Sequence, residues 1–141
     1  MKKIKFTEEG LIKVKREYEE LINRRPAAVM ELSRARELGD LSENGLYHAT
    51  KATLRSIDSR LRRLSNQIKL ASIVPSRKFV VQQNGKEVIY EIVGDFEADP
   101  KQFKLSSNSP IGSSLMNMKA GETTKIQTPN GTLELRILKV L

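Results

Sequence analysis

Residues 54–71 read LRSIDSRLRRLSNQIKLA, and Leu54, Ile57, Leu61, Leu64, Ile68 and Ala71 recur there at steps of 3, 4, 3, 4 and 3. That spacing is the apolar seam of a coiled-coil helix, with charged side chains on the remaining surface. Pro75 is read as the stop of this helix. A second seam lies upstream. Thr7 is a natural N-cap with Glu8 and Glu9 in the first turn, where the helix dipole favours acids. Leu11, Val14, Tyr18 and Leu21 follow, and the register continues through Arg25, Ala28, Leu32 and Ala35. Pro26 is expected to kink this helix or break it briefly. Gly39 suits the position just after a helix end. Two helices of similar length with a short connection should fold back antiparallel, each roughly 40–45 Å long at 1.5 Å per residue. Residues 1–74 are therefore read as a helical hairpin whose turn is 39–44, GDLSEN.

Beyond Pro75 the apolar period changes from helical to two. Phe79–Gln83 and Glu87–Val93 flank Asn84-Gly85, a strong hairpin signal. Thr123–Thr128 and Thr132–Val140 flank Pro129-Asn130-Gly131 in the same manner. In the last strand Leu133, Leu135 and Ile137 should face one way, with Glu134 and Arg136 facing the other. Between the hairpins, Gln102–Leu105 reads as a short strand. Ser109-Pro110 opens a short helix over Ile111–Met118, with proline at its preferred first position. The fold class is thus α+β: an N-terminal antiparallel α-helical coiled-coil hairpin over 1–74, then a small antiparallel sheet domain with one short helix over 75–141.

Composition agrees with narrow seams. Of 141 residues, 38% are hydrophobic and 30% charged. There is no cysteine, which excludes disulfides and cysteine-ligated zinc. The start, MKKIKFTEEG, is not followed by a signal-peptide core, and no stretch is long enough to span a membrane, so a cytoplasmic location is expected. The net charge is +8. Within 46–71 the basic residues are Lys51, Arg55, Arg60, Arg62, Arg63 and Lys69, against one acid, Asp58. Such a run is either a solvated helix face or a grip for a polyanion.

The connection GDLSEN has two readings. Asp40 can cap the second helix, with Glu43 three residues on as in a capping box and Ser42 as a competing cap. Alternatively, two carboxylates in a turn can supply part of a Mg²⁺ site, since Mg²⁺ is often held by one or two protein carboxylates and otherwise by water and phosphate oxygens. His48 has no second histidine or cysteine near it in sequence and reads as a packing or hydrogen-bonding residue rather than a ligand. No Ser–His–Asp set, glycine-rich phosphate loop or zinc spacing is present, and nothing resembles a self-contained active site.

Several stretches together resemble the bacterial GreA/GreB family of transcript-cleavage factors: RRPAAVMELSRARELGDLSENGLYHATK (24–51), NQIKLASIV (66–74), YEIVGDFEAD (90–99), NSPIGSSLMN (108–117) and IQTPNGTLELRILKV (126–140). The resemblance implies that the second domain is FKBP-like and docks on the rim of RNA polymerase's secondary channel, while the coiled coil passes through the channel to the catalytic centre. It implies that Asp40 and Glu43 share a Mg²⁺ with the polymerase and promote cleavage of backtracked RNA near its 3′ end. It assigns Arg36 and Lys51 to gripping the nascent RNA; Arg55 joins them by helical spacing (i, i+4) from Lys51. Asn108, Ser109 and Pro110 map onto the docking loop. The protein is expected to be a monomer and to donate acids to the polymerase site rather than act as an enzyme. Gly45-Leu46 departs from the family pattern: Gly45 should weaken the first helical turn by up to about 1 kcal/mol relative to Ala, and Leu46 adds an exposed apolar side chain. The segment between Val74 and Lys86 is also short. These departures motivate an alternative, a regulator of the same fold that inhibits or modulates transcription without stimulating cleavage. A plain nucleic-acid-binding coiled coil is the reading from charge alone.

Overall fold

The computed structural model describes residues 2–41 and 43–141. Its backbone forms two compact units. One comprises Ile12–Leu70; the other comprises Met1–Leu11 together with Ala71–Leu141. The division therefore differs from 74/75: the first residues of the chain pack with the sheet unit.

The helical unit is built from α1 (Glu8–Arg36) and α2 (Gly45–Leu70). Thr7 caps α1 as its sequence position indicates, its Oγ1 accepting from the Gly10 N–H at 3.1 Å. Pro26 lies inside α1, which runs through it without a break. Its ring removes one N–H donor in a stretch that is exposed from Ile22 to Ala27, where water can satisfy the freed carbonyl. The two helices are antiparallel: Glu17 pairs with Arg60, and Arg25 with Asp58. Arg25, the polar interruption of the first seam, is thus tied to the one acid of the basic run. Ala28, Ile57 and Leu61 form a buried cluster flanked by Tyr18, Leu21 and Leu54.

Helix α2 ends at Leu70, before Pro75. Ala71–Ile73 form a strand, β2, paired in parallel with β1 (Ile4–Phe6). The pairing continues as the Val74 N–H donates to the Phe6 carbonyl at 2.8 Å. The apolar spacing of Ile68 and Ala71 suited another helical turn, but a partner strand from the start of the chain takes up the backbone instead; local spacing carries no information about that pairing.

The five-stranded sheet has the order β5-β4-β3-β7-β6, from β3 (Arg77–Gln83), β4 (Lys86–Val93), β5 (Lys104–Ser106), β6 (Thr123–Thr128) and β7 (Gly131–Val140). Both hairpins form where the turn signals place them. Asn84 and Gly85 both have positive φ, 52° and 80°, as a two-residue I′-type turn requires. Gly131 joins β7 at φ 122°, leaving Pro129-Asn130 as the second loop. Val81, Leu135 and Ile137 are buried with Phe79, Tyr90, Ile92, Leu105, Leu115 and Ile126. The sheet is mostly antiparallel, with one exception: β5 lies parallel to β4. A parallel neighbour needs a return crossover, supplied by Gly94–Phe103 with a 3₁₀ turn at Pro100–Gln102. The short helix α3 spans Pro110–Leu115, beginning at the proline and ending three residues short of Met118.

Candidate functional sites

The closing turn of the helical hairpin is built around Asn44. After Arg36 the chain tightens, with the Glu37 and Leu38 N–H groups donating to Arg34 and Ala35 carbonyls. Gly39 then takes φ 114°, where a side chain would be strained. Asn44 Oδ1 accepts from the Tyr47 N–H at 3.0 Å, and its Nδ2 donates to the Ala35 carbonyl at 2.6 Å. One side chain thus caps the start of α2 and satisfies a carbonyl at the end of α1. The expected cap was Asp40. It lies five residues before the first residue of α2, outside the Ncap position, which Asn44 occupies; Ser42 lies outside the described residues. Asp40 and Glu43 are both exposed. Gly45 stands at the first helical position with open space around its Cα. There its N–H has no intrahelical partner in any case, so its cost falls below that of a mid-helix glycine. Leu46 is exposed, as its sequence position suggested.

Tyr47 organises the adjoining basic residues. The Arg36 guanidinium lies 6.0 Å from its ring centroid and the Lys51 ammonium 5.6 Å, within reach of the cation–π attraction. His48 meets the same ring edge-on at 5.4 Å. The structure therefore brings Arg36 and Lys51 together across one aromatic side chain. Arg55 is exposed one turn further along α2 and is not part of this cluster. Thr50, buried, donates its hydroxyl to the Leu46 carbonyl at 2.9 Å. Tyr47 and Thr50 extend the 3–4 seam backwards from Leu54. That continuation was the signal in the sequence that they face the partner helix.

Further along the hairpin, Arg60 holds Glu17 through two bonds of 2.8 and 3.0 Å and draws its carboxyl below the ordinary glutamate range. Among the described residues no group of three or more His, Cys, Asp or Glu side chains comes together to hold a metal ion. The exposed pair Asp40 and Glu43 fits a metal site only if other ligands come from a partner, which suits Mg²⁺ and its preference for water and phosphate oxygens. Among the described residues no helix is long and apolar enough to cross a membrane.

In the sheet unit, Asn108, Ser109 and Pro110 form the entrance to α3. Ser109 is its N-cap, accepting from the Gly112 N–H at 3.0 Å while its hydroxyl donates to the Ser106 carbonyl at 2.7 Å. Pro110 takes the first helical position. Gly112 is obligatory, because a Cβ there would stand 2.0 Å from the Ser106 carbonyl oxygen. Asn108 is exposed, yet held: its Nδ2 donates to Asp95 Oδ1 at 2.8 Å.

Both halves of the chain match known proteins. Residues 4–73 match the family model of a transcription elongation factor N-terminal domain, and residues 69–141 that of the GreA/GreB C-terminal domain. The hairpin-plus-sheet architecture is thus that of a transcription elongation factor. The chain belongs to the GreA/GreB family. The transcription elongation factor GreA of Thermomicrobium roseum is 36% identical over 151 residues, covering 98% of this chain and 97% of that protein. GreA of Bacillus cereus is 36% identical over 149 residues, with 96% and 94% covered. Among solved structures, GreA factor homolog 1 of Thermus thermophilus aligns over 99% of both chains at 21% identity, with a TM-score of 0.48.

Proposed function

We propose that this protein binds RNA polymerase, inserts its helical hairpin through the secondary channel and stimulates the polymerase's own cleavage of backtracked RNA. The observation that carries the reading is the pair of exposed carboxylates, Asp40 and Glu43, in the turn beside the Arg36–Tyr47–Lys51 cluster. Family membership supports the general role, and the relatives are named transcription elongation factors. In this reading the Asn44 bridge holds the turn closed, so that the acids are presented without a large ordering cost on binding. Asp40 and Glu43 would hold part of a Mg²⁺ shared with the polymerase and would help orient a water for attack. Such a metal would supply electrostatic stabilisation of the charge that develops in the displacement. Arg36 and Lys51, with Arg55 along the helix, attract the phosphates of the displaced RNA 3′ segment. Asn108, Ser109 and Pro110 dock the sheet unit on the channel rim. The chain lends groups to another protein's active centre and is not itself the enzyme.

The test is RNA shortening in stalled elongation complexes. Added protein should accelerate it, and Asp40→Asn or Glu43→Gln should abolish the acceleration while polymerase binding persists. Unchanged cleavage in both variants refutes the role of the acids. Inhibition of transcription without cleavage by the unaltered protein would establish the modulating alternative.

A further inference from the structure

The turn 94–97, Gly-Asp-Phe-Glu, carries two carboxylates with different partners. Glu97 turns toward the start of α1, accepting from the Thr7 N–H at 2.8 Å, the Gly94 N–H at 3.0 Å and the Thr7 hydroxyl. Asp95 turns toward the entrance of α3. Its Oδ1 accepts from Ser106 Oγ at 3.1 Å and from Asn108 Nδ2 at 2.8 Å. Its Oδ2 accepts from the Lys5 N–H at 3.2 Å, and its own N–H donates to the Lys5 carbonyl at 3.0 Å. With its hydroxyl proton directed at Asp95, Ser106 Oγ presents a lone pair to the Asn108 N–H, 3.1 Å away. One carboxylate oxygen therefore fixes both the side chain and, through Ser106, the backbone of Asn108.

We propose that Asp95 is the positioning residue of the polymerase-docking loop: by holding Ser106 and Asn108 it orders residues 106–109 before the partner arrives. The proposal rests on the assignment of Asn108–Pro110 to docking. Chemistry explains why a carboxylate stands here. Two donors converge on Oδ1 and a third on Oδ2, so acceptors are needed on both sides, and charge strengthens each bond. Asparagine keeps an oxygen for Ser106 and Asn108 but turns an amide donor toward the Lys5 N–H. Alanine keeps neither. The two substitutions separate the loop from the strand tie.

The experiment measures cleavage stimulation against protein concentration for Asp95→Ala, Asp95→Asn and Asn108→Ala. Amide hydrogen exchange of residues 107–109 is measured on the free proteins. Asp95→Ala should raise the half-saturating concentration about tenfold, with the saturated cleavage rate unchanged, because a preordered loop changes docking and not the acids. Exchange at Asn108 and Ser109 should quicken by about the same factor. Asp95→Asn should restore most of both, and Asp95→Ala with Asn108→Ala should fall short of the sum of the two single effects, since the singles share the Asp95–Asn108 bond. Equal impairment by Asn and Ala, or unaltered loop exchange in Asp95→Ala, overturns the proposal. Should Asp95→Ala not fold, Ser106→Ala, which removes one Oδ1 contact and the acceptor of the Asn108 N–H while leaving Asn108 in place, must quicken exchange at Asn108 and raise the half-saturating concentration. If the unaltered protein does not act on polymerase, the docking assignment fails, while the exchange result still shows whether Asp95 orders the loop.

Discussion

Replacing Asn44 by alanine removes two hydrogen bonds that join the ends of both helices. The first is the N-cap bond from Tyr47 at 3.0 Å, whose loss typically costs about 1 kcal/mol. The second is the bond to the Ala35 carbonyl at 2.6 Å, worth about 1 kcal/mol net at a half-buried position. Together they total about 2 kcal/mol, or about 30-fold in the equilibrium for opening the turn. Aspartate at the same position keeps the cap, since its oxygen still accepts from Tyr47, but it has no donor for Ala35; about half the effect should remain. Native-state hydrogen exchange of the Tyr47 and His48 amides reads this opening directly. Their N–H groups are the ones bonded to the Asn44 side chain and carbonyl. Exchange should quicken about 30-fold in Asn44→Ala and about fivefold in Asn44→Asp. Rates in Asn44→Ala within about threefold of the unaltered protein would refute the claim that this one side chain closes the turn. Rates equal in the two variants would refute the separate contribution of the Ala35 bond.

Gly112→Ala should destabilise the sheet unit by about 1–3 kcal/mol, because the new methyl meets a backbone carbonyl that cannot rotate away; a thermal melt checks it. The Glu17–Arg60 pair should make hairpin stability acid-sensitive. Its hydrogen bond lowers the Glu17 pKa from 4.5, so the contribution is present above that value and lost as pH falls through the lowered folded value. Unfolding curves of Glu17→Gln should lack this component of the acid dependence and match the unaltered protein more closely as pH falls. Both groups are about two-fifths exposed, so added salt should shrink the difference.

The sequence by itself determined every element whose cause is local. The 3–4 seam from Leu54 onward specifies α2, Thr7 specifies where α1 begins, and Asn84-Gly85 specifies its hairpin, because each depends on side-chain periodicity or a backbone preference within a few residues. Motif order was enough to place the chain in its family. The exposed acids at 40 and 43 were legible as a pair, but which residue caps α2 was not, since Asp40, Ser42 and Asn44 are all suitable types. Only the folded chain chose Asn44, because there the amide also reaches the Ala35 carbonyl on the other helix. Tertiary structure likewise decided the fate of Ala71–Ile73. Its spacing suits a helix, and only Ile4–Phe6, brought alongside when α1 and α2 fold back on each other, turns it into a strand. The same holds for Asp95 and Glu97. They lie in YEIVGDFEAD, one of the stretches that carry the family resemblance, but nothing local in it names their partners. Their partners Lys5, Thr7 and Asn108 are distant in sequence, and hydrogen bonds of that range exist only once the backbone has closed.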